Sequence, residues 1–202
     1  MTTLNALAIV CTLKHSPEPS SSLLIAEQLL TEFATHGVTG STVRLVDHDI
    51  KPGVTADEGD GDEWPAIREK VLACDILIVT TPTWLGQLSS IGQRLLERLD
   101  ADLRNMDDRG RPIMYDRVAV VGVVGNEDGA HHITSQLFQA LGDLGFTIPA
   151  QGATYWNDEA MGSRNYLDLE ETPEAVASTN RSLAANAAHL AGLLKNSNYP
   201  PA

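Results

Sequence analysis

Val118-Ala119-Val120-Val121-Gly122-Val123-Val124 carries no polar side chain, so a strand built from it is apolar on both faces. Ile76-Leu77-Ile78-Val79 reads the same way. Such runs are expected of central parallel strands covered by helices on each side, whereas a half-solvated hairpin alternates apolar with polar. Outward from these two, shorter apolar runs at Leu7 to Cys11, at Val43 to Val46 and, more weakly, at Thr154 to Trp156 complete a set of five strands.

Helical spacing fills the intervals. Leu23, Ala26, Leu29, Leu30 and Phe33 make one apolar face over Ser22 to Thr35 before Gly37. Trp64 to Leu72 predicts a second helix, Ser90 to Leu103 a third, and His131 to Leu144 a fourth that stops at Gly145. The fifth starts at Thr172-Pro173, a cap followed by proline, and runs towards Leu194. Strand alternating with helix predicts an α/β fold: a three-layer sandwich with a five-stranded parallel sheet in the flavodoxin-like order 2-1-3-4-5 and helices on both faces. Residues 1–202 are expected to form a single domain, with Gly53 to Asp62 an exposed loop and Asn196 to Ala202 a loose tail, neither carrying chemistry.

Lys and Arg total 14 against 27 Asp and Glu, a formal charge of −13, and the cations form no stripe able to neutralise phosphates, so nucleic acid is excluded as a partner. Cys11 and Cys74 belong to no metal or dithiol pattern, which fits a reducing cytoplasm. The chain opens on no export signal, and its apolar runs fall well short of the roughly 20 residues a membrane span needs.

In an open parallel sheet the ligand crevice lies outside the carboxyl ends of the strands where the winding direction reverses, here between the first and third strands. The loop Thr12 to Ser22 is dense in hydroxyls and ends at a helix N-terminus, where free N–H groups favour an anion. Ser20 to Ser22 taken alone reads as helix capping; its placement after the first strand adds the phosphate reading. Glycine patterns of nucleotide-triphosphate and dinucleotide loops are absent. The second loop, Thr81-Pro82-Thr83-Trp84-Leu85-Gly86-Gln87, joins a rigid turn, an aromatic and a glycine, a combination suited to a flat heterocycle; a core tryptophan is the alternative reading of Trp84. The third, Gly125 to Ala130, brings two glycines ahead of the fourth helix, with Asp128 as its expected cap. His131 and His132 are adjacent on that helix and point about 100° apart, which disfavours a shared metal ion.

Together these loops resemble the NADPH-dependent FMN reductase family of flavodoxin-like proteins over most of residues 4–150. The family's hydroxyl just after the first strand and its Ser-x-[Thr/Ser] pair are matched by Thr12, Ser20 and Ser22; its Pro-x-[Tyr/Trp]-x-Gly element is matched by Pro82, Trp84 and Gly86; its glycine-rich third loop is similar to Gly125 through Gly129. The chain departs from the pattern at Lys14 and Ser16-Pro17-Glu18-Pro19, where a shorter Arg-containing turn is common.

The resemblance implies FMN as cofactor, contacted by Thr12, Lys14, Ser20, Ser21 and Ser22, by Pro82, Thr83, Trp84, Leu85 and Gly86, and by Gly125, Asn126, Glu127, Asp128 and Gly129. It implies hydride transfer from NADH or NADPH through the flavin to a quinone, flavin or similar small acceptor, with no catalytic side chain and no metal. A homodimer is also implied, with Leu85, Met106, Met114 and Tyr115 at its interface. Two alternatives share the sequence features: a flavodoxin-type electron carrier without its own substrate, and a binding domain without flavin.

Overall fold

Alternate side chains of the central strands enter two separate apolar layers. In a computed structural model that describes residues 3–159 and 162–201, β1 (Leu4–Val10), β2 (Val38–Arg44), β3 (Ile76–Trp84), β5 (Val118–Gly125) and β6 (Ala153–Asn157) run parallel in the order β2-β1-β3-β5-β6, and a short β4 (Gln87–Leu88) pairs antiparallel with the end of β3. Leaving β4 aside, this is the flavodoxin-like order expected from the sequence. Ala6, Ala8, Ile76, Ile78, Val118 and Val120 pack under α1 (Ser21–Thr35) and α5 (Glu174–Asn196), against Leu29, Phe33, Leu183 and Ala187. Leu7, Ile9, Leu77, Val79, Ala119 and Val121 face the other way, onto α2 (Trp64–Ala73), α3 (Ser90–Leu99) and α4 (Ala130–Asp143). Among the described residues no helix is long and apolar enough to cross a membrane.

Several local expectations are corrected. The second strand lies at Val38–Arg44, not Val43 to Val46, because it is the sheet edge: Thr39, Gly40, Ser41 and Thr42 are exposed, and only its ends are buried. Leu45–Asp47 is instead a 3-10 turn. α3 ends at Leu99 and passes into a 3-10 turn over Asp100–Asp102. Thr172 is not the cap of α5; Pro173 holds that position, and the Thr172 hydroxyl accepts a hydrogen bond from Gln28 Nε2 at 2.9 Å. Of the expected loose tail, Tyr199 is tied down: its ring packs 5.2 Å from that of Tyr115, its N–H reaches Asp116 and its carbonyl accepts from Arg111. Met114 is wholly buried and contributes to no surface contact.

The Gly53 to Asp62 loop is not merely an exposed connection, because it ends in a buried ion pair. Asp62 Oδ2 lies 2.7 Å from Arg98 Nη2 with both side chains out of contact with solvent, and the guanidinium sits 5.8 Å from the Trp64 ring centre. Burial pushes the Asp62 carboxyl up, but backbone donors at Glu58, Trp64 and Lys51, together with Arg98, outweigh it and hold the group below its ordinary value. A carboxyl lowered in the folded state stabilises the fold fully above its unfolded pKa and loses that contribution as pH falls through the folded one. Asp62→Asn, which leaves Arg98 buried without its partner, is expected to cost about 3–5 kcal/mol in urea unfolding at neutral pH and to flatten the acid limb of the stability profile. An unchanged acid limb contradicts this assignment.

Candidate functional site

β1 and β3 are neighbours whose following helices cover opposite faces of the sheet, so a crevice opens at their carboxyl ends. Its floor is stitched by Ser89, the N-cap of α3. The Ser89 hydroxyl donates to Cys11 O at 2.5 Å and accepts from Gly92 N at 3.0 Å, while its N–H donates to Thr81 Oγ1 at 3.2 Å. Cys11 beneath is buried, and desolvation pushes its thiol up to about 12, so no reactive thiolate lies at this end of the sheet.

One side of the crevice is the loop after β1 and the start of α1. Ser20 caps the helix, its hydroxyl accepting from Leu23 N at 3.3 Å, and Ser21 and Ser22 occupy the first turn, whose leading amides have no intrahelical acceptor. Thr12 is buried and its hydroxyl accepts from Lys14 N at 3.3 Å.

The other side is not the open loop expected over Thr81 to Gln87. β3 continues to Trp84 and turns back into β4 through Leu85 (φ 50°) and Gly86 (φ 74°), a two-residue hairpin of left-handed residues. Pro82 is tolerated at the strand end, paired in register with Val124. Leu85 at the tip is 90% exposed and Trp84 55%, so Trp84 is not a core residue. The third loop meets the hairpin backbone to backbone: a Cβ on Gly129 would fall 2.7 Å from Gly86 Cα and 2.9 Å from its carbonyl oxygen, and Glu127 Oε1 accepts from Leu85 N at 2.8 Å. Asp128 does not cap α4, as was expected; Gly129 occupies the cap position, and Asp128 Oδ1 accepts from the Gly129 N–H at 2.7 Å.

Thr12, Lys14, Ser20, Ser21 and Ser22 line the crevice together with Pro82, Thr83, Trp84, Gly125 and Asn126. Leu85, Gly86, Glu127, Asp128 and Gly129 do not; they form the contact that holds hairpin and third loop together. Leu13, Val124, Asn165 and Tyr166 join the lining without having been anticipated. Asn165 and Tyr166 come from the segment between β6 and α5, where no sequence pattern marks them. Tyr166 is fixed by its hydroxyl, which donates to Gln28 Oε1 at 2.7 Å, and by packing 5.5 Å from Trp156.

Electrostatically the crevice stands apart from the chain. The formal charge is −13, yet none of the lining residues is acidic and one, Lys14, is basic. The Thr83 hydroxyl is buried without a hydrogen-bond partner and packs closely on Gly125, where a Cβ would come within 2.9 Å of Thr83 Oγ1. His131 and His132 lie outside the lining, bonded instead to Tyr155 and Gln87, and the described residues contain no cluster of three or more metal-ligating side chains. The titratable side chains in the lining are those of Lys14 and Tyr166.

Fold and site thus define a flavodoxin-like α/β protein with a carboxylate-free crevice at its switch point. Residues 4–160 match the family model of the NADPH-dependent FMN reductases, and the chain belongs to that family. It is 33% identical over 209 residues to the 8-demethyl-8-aminoriboflavin-5'-phosphate synthase of Streptomyces davaonensis, covering 97% of this chain and 80% of that one. It is 37% identical over 199 residues to a Mycobacterium bovis protein named divalent metal cation transporter MntH; that match covers 95% of this chain but spans only 29% of that relative's length. Among solved structures, RosB with bound 8-demethyl-8-formylriboflavin-5'-phosphate superposes with a TM-score of 0.89 at 30% identity, covering 98% of this chain and 82% of that one.

Any side chain at Gly129 forces the hairpin and the third loop apart. Gly129→Ala is expected to lower stability by about 1–3 kcal/mol, read as a lower urea midpoint at unchanged slope. A midpoint equal to that of the parent protein contradicts the close contact.

Proposed function

We propose that the crevice holds FMN and that the protein is an NAD(P)H-dependent oxidoreductase acting on a small acceptor such as a quinone or a second flavin. The observation that supports it most directly is the polarity of the lining: hydroxyls, helix-terminal amides and one lysine, with no carboxylate, in a strongly acidic chain. A phosphomonoester needs such donors, and a carboxylate among them would repel it.

The residues fit the group. The amides and hydroxyls of Ser21 and Ser22, with Lys14 and Thr12 beside them, would hold the phosphate. Trp84 offers its half-exposed face to a flat ring and limits the approach of water. When bound, FMN supplies the redox chemistry, accepting hydride from the nicotinamide and passing electrons on. Exposed Leu85 and Met106 suit the homodimer inferred from the family resemblance.

A second reading is favoured by the synthase relative: the flavin phosphate is substrate, altered on its ring, instead of a resident cofactor. Both readings use the same crevice, and they separate by what happens to the flavin. Reconstitution with FMN, removal of oxygen and addition of NADH or NADPH in a stopped-flow instrument are expected to bleach the flavin band within seconds, with the flavin recovered at unchanged mass after reoxidation. Persistence of the band with either nucleotide points to a carrier, and a changed flavin mass to the second reading.

A further inference from the structure

The loop after β1 is held from outside by residues that do not touch the crevice. Arg44, the last residue of β2, is buried, and its Nη1 donates to both Lys14 O at 3.2 Å and Glu18 O at 2.9 Å. Among the described residues it makes no ion pair. Three positions on, Asp47 accepts from the Ser16 N–H at 2.9 Å and from the Ser16 hydroxyl at 2.6 Å, with His15 Nδ1 at 3.5 Å. The Pro-bracketed stretch between Lys14 and Ser20 is therefore fastened to the β2 edge at several points. The same loop carries Thr12, Lys14 and Ser20 into the crevice on its inner side.

Two physical consequences follow. A loop already fixed in shape loses less conformational freedom when a ligand arrives, so its donors bind more tightly. The two carbonyls engaged by Arg44 are also withheld from the crevice, where their lone pairs would repel an anion, and the buried guanidinium adds positive potential behind Lys14, offset in part by the nearby Asp47 carboxylate. Asp47, the nearby carboxylate, is directed to Ser16; burial pulls its carboxyl upward, but the two Ser16 bonds, with Arg44 and His15, hold it below its ordinary value.

We propose that Arg44 is a positioning residue for the ligand phosphate, with Asp47 and Ser16 as the second arm of the same clamp, and that the clamp makes the protein select phosphorylated over unphosphorylated flavin. This rests on the FMN reading and adds to it a residue that touches neither ring nor phosphate. The isoalloxazine and ribityl chain are common to FMN and riboflavin, so the ratio of their affinities isolates the phosphate.

The test is fluorescence titration of the full chain and of Arg44→Met, Arg44→Lys, Asp47→Asn and Ser16→Ala with FMN and with riboflavin, alongside the melting temperature without ligand. Arg44→Met is expected to weaken FMN about tenfold or more while moving riboflavin by less than about threefold, and Arg44→Lys to recover part of the loss. Asp47→Asn and Ser16→Ala, both at exposed positions, are expected to weaken FMN about threefold with riboflavin unchanged. Arg44→Met binding FMN as the parent does, or losing FMN and riboflavin by the same factor, overturns the proposal. If Arg44→Met does not fold, the two exposed variants decide: an unchanged affinity ratio in both overturns the clamp. A folded parent protein that binds neither flavin overturns the clamp and the FMN reading together, whereas a parent that binds FMN beside unaffected variants overturns the clamp alone.

Discussion

The structure depends on the need to cover both faces of β3 and β5. Their side chains are apolar on either side of the sheet, and leaving one face to water would expose most of the core. The chain therefore lays α1 and α5 on one face and α2, α3 and α4 on the other, and the change of direction falls between β1 and β3. The crevice is a by-product of that reversal: neighbouring connections leave to opposite sides, and the gap between them is floored by strand ends and bounded by a helix N-terminus.

Within that frame the gap is shaped by one close backbone approach and by a few side-chain hydrogen bonds. Gly129 against Gly86 brings the third loop onto the β3–β4 hairpin, and the Glu127 bond to Leu85 N closes the join. Ser89 ties the ends of β1 and β3 to α3 through three hydrogen bonds. None of these residues needs to touch a ligand to matter, because they set the distance between the donors on the β1 side and the aromatic surface of Trp84.

The central place of β3 and β5 was legible because burial on both faces leaves an unbroken apolar signal at Ile76 and at Val118, and the sheet order followed from the alternation of strand with helix. The edge strand was misplaced for the opposite reason: β2 is solvated along its middle, so Thr39 to Thr42 read as connection. Ten of the fifteen expected contact residues line the crevice, since loops after parallel strands converge by topology. The five that do not, from Leu85 to Gly129, support the wall; glycine and a bonded carboxylate look the same in sequence whether they face a ligand or another loop. Asn165 and Tyr166 could not be read at all, because they are brought in by a distant segment through Gln28 and Trp156. Arg44 was silent likewise, a lone cation on an edge strand.

In the proposed function a flavin phosphate sits between the loop after β1 and the β3–β4 hairpin. Amide hydrogen exchange with and without FMN reads that location residue by residue. Slowed exchange confined to residues 12–23, 83–87 and 125–130, with the segment around Asn165 and Tyr166, is the predicted result. Protection elsewhere, such as along α3 and the end of α4, or none at saturating FMN, contradicts the account.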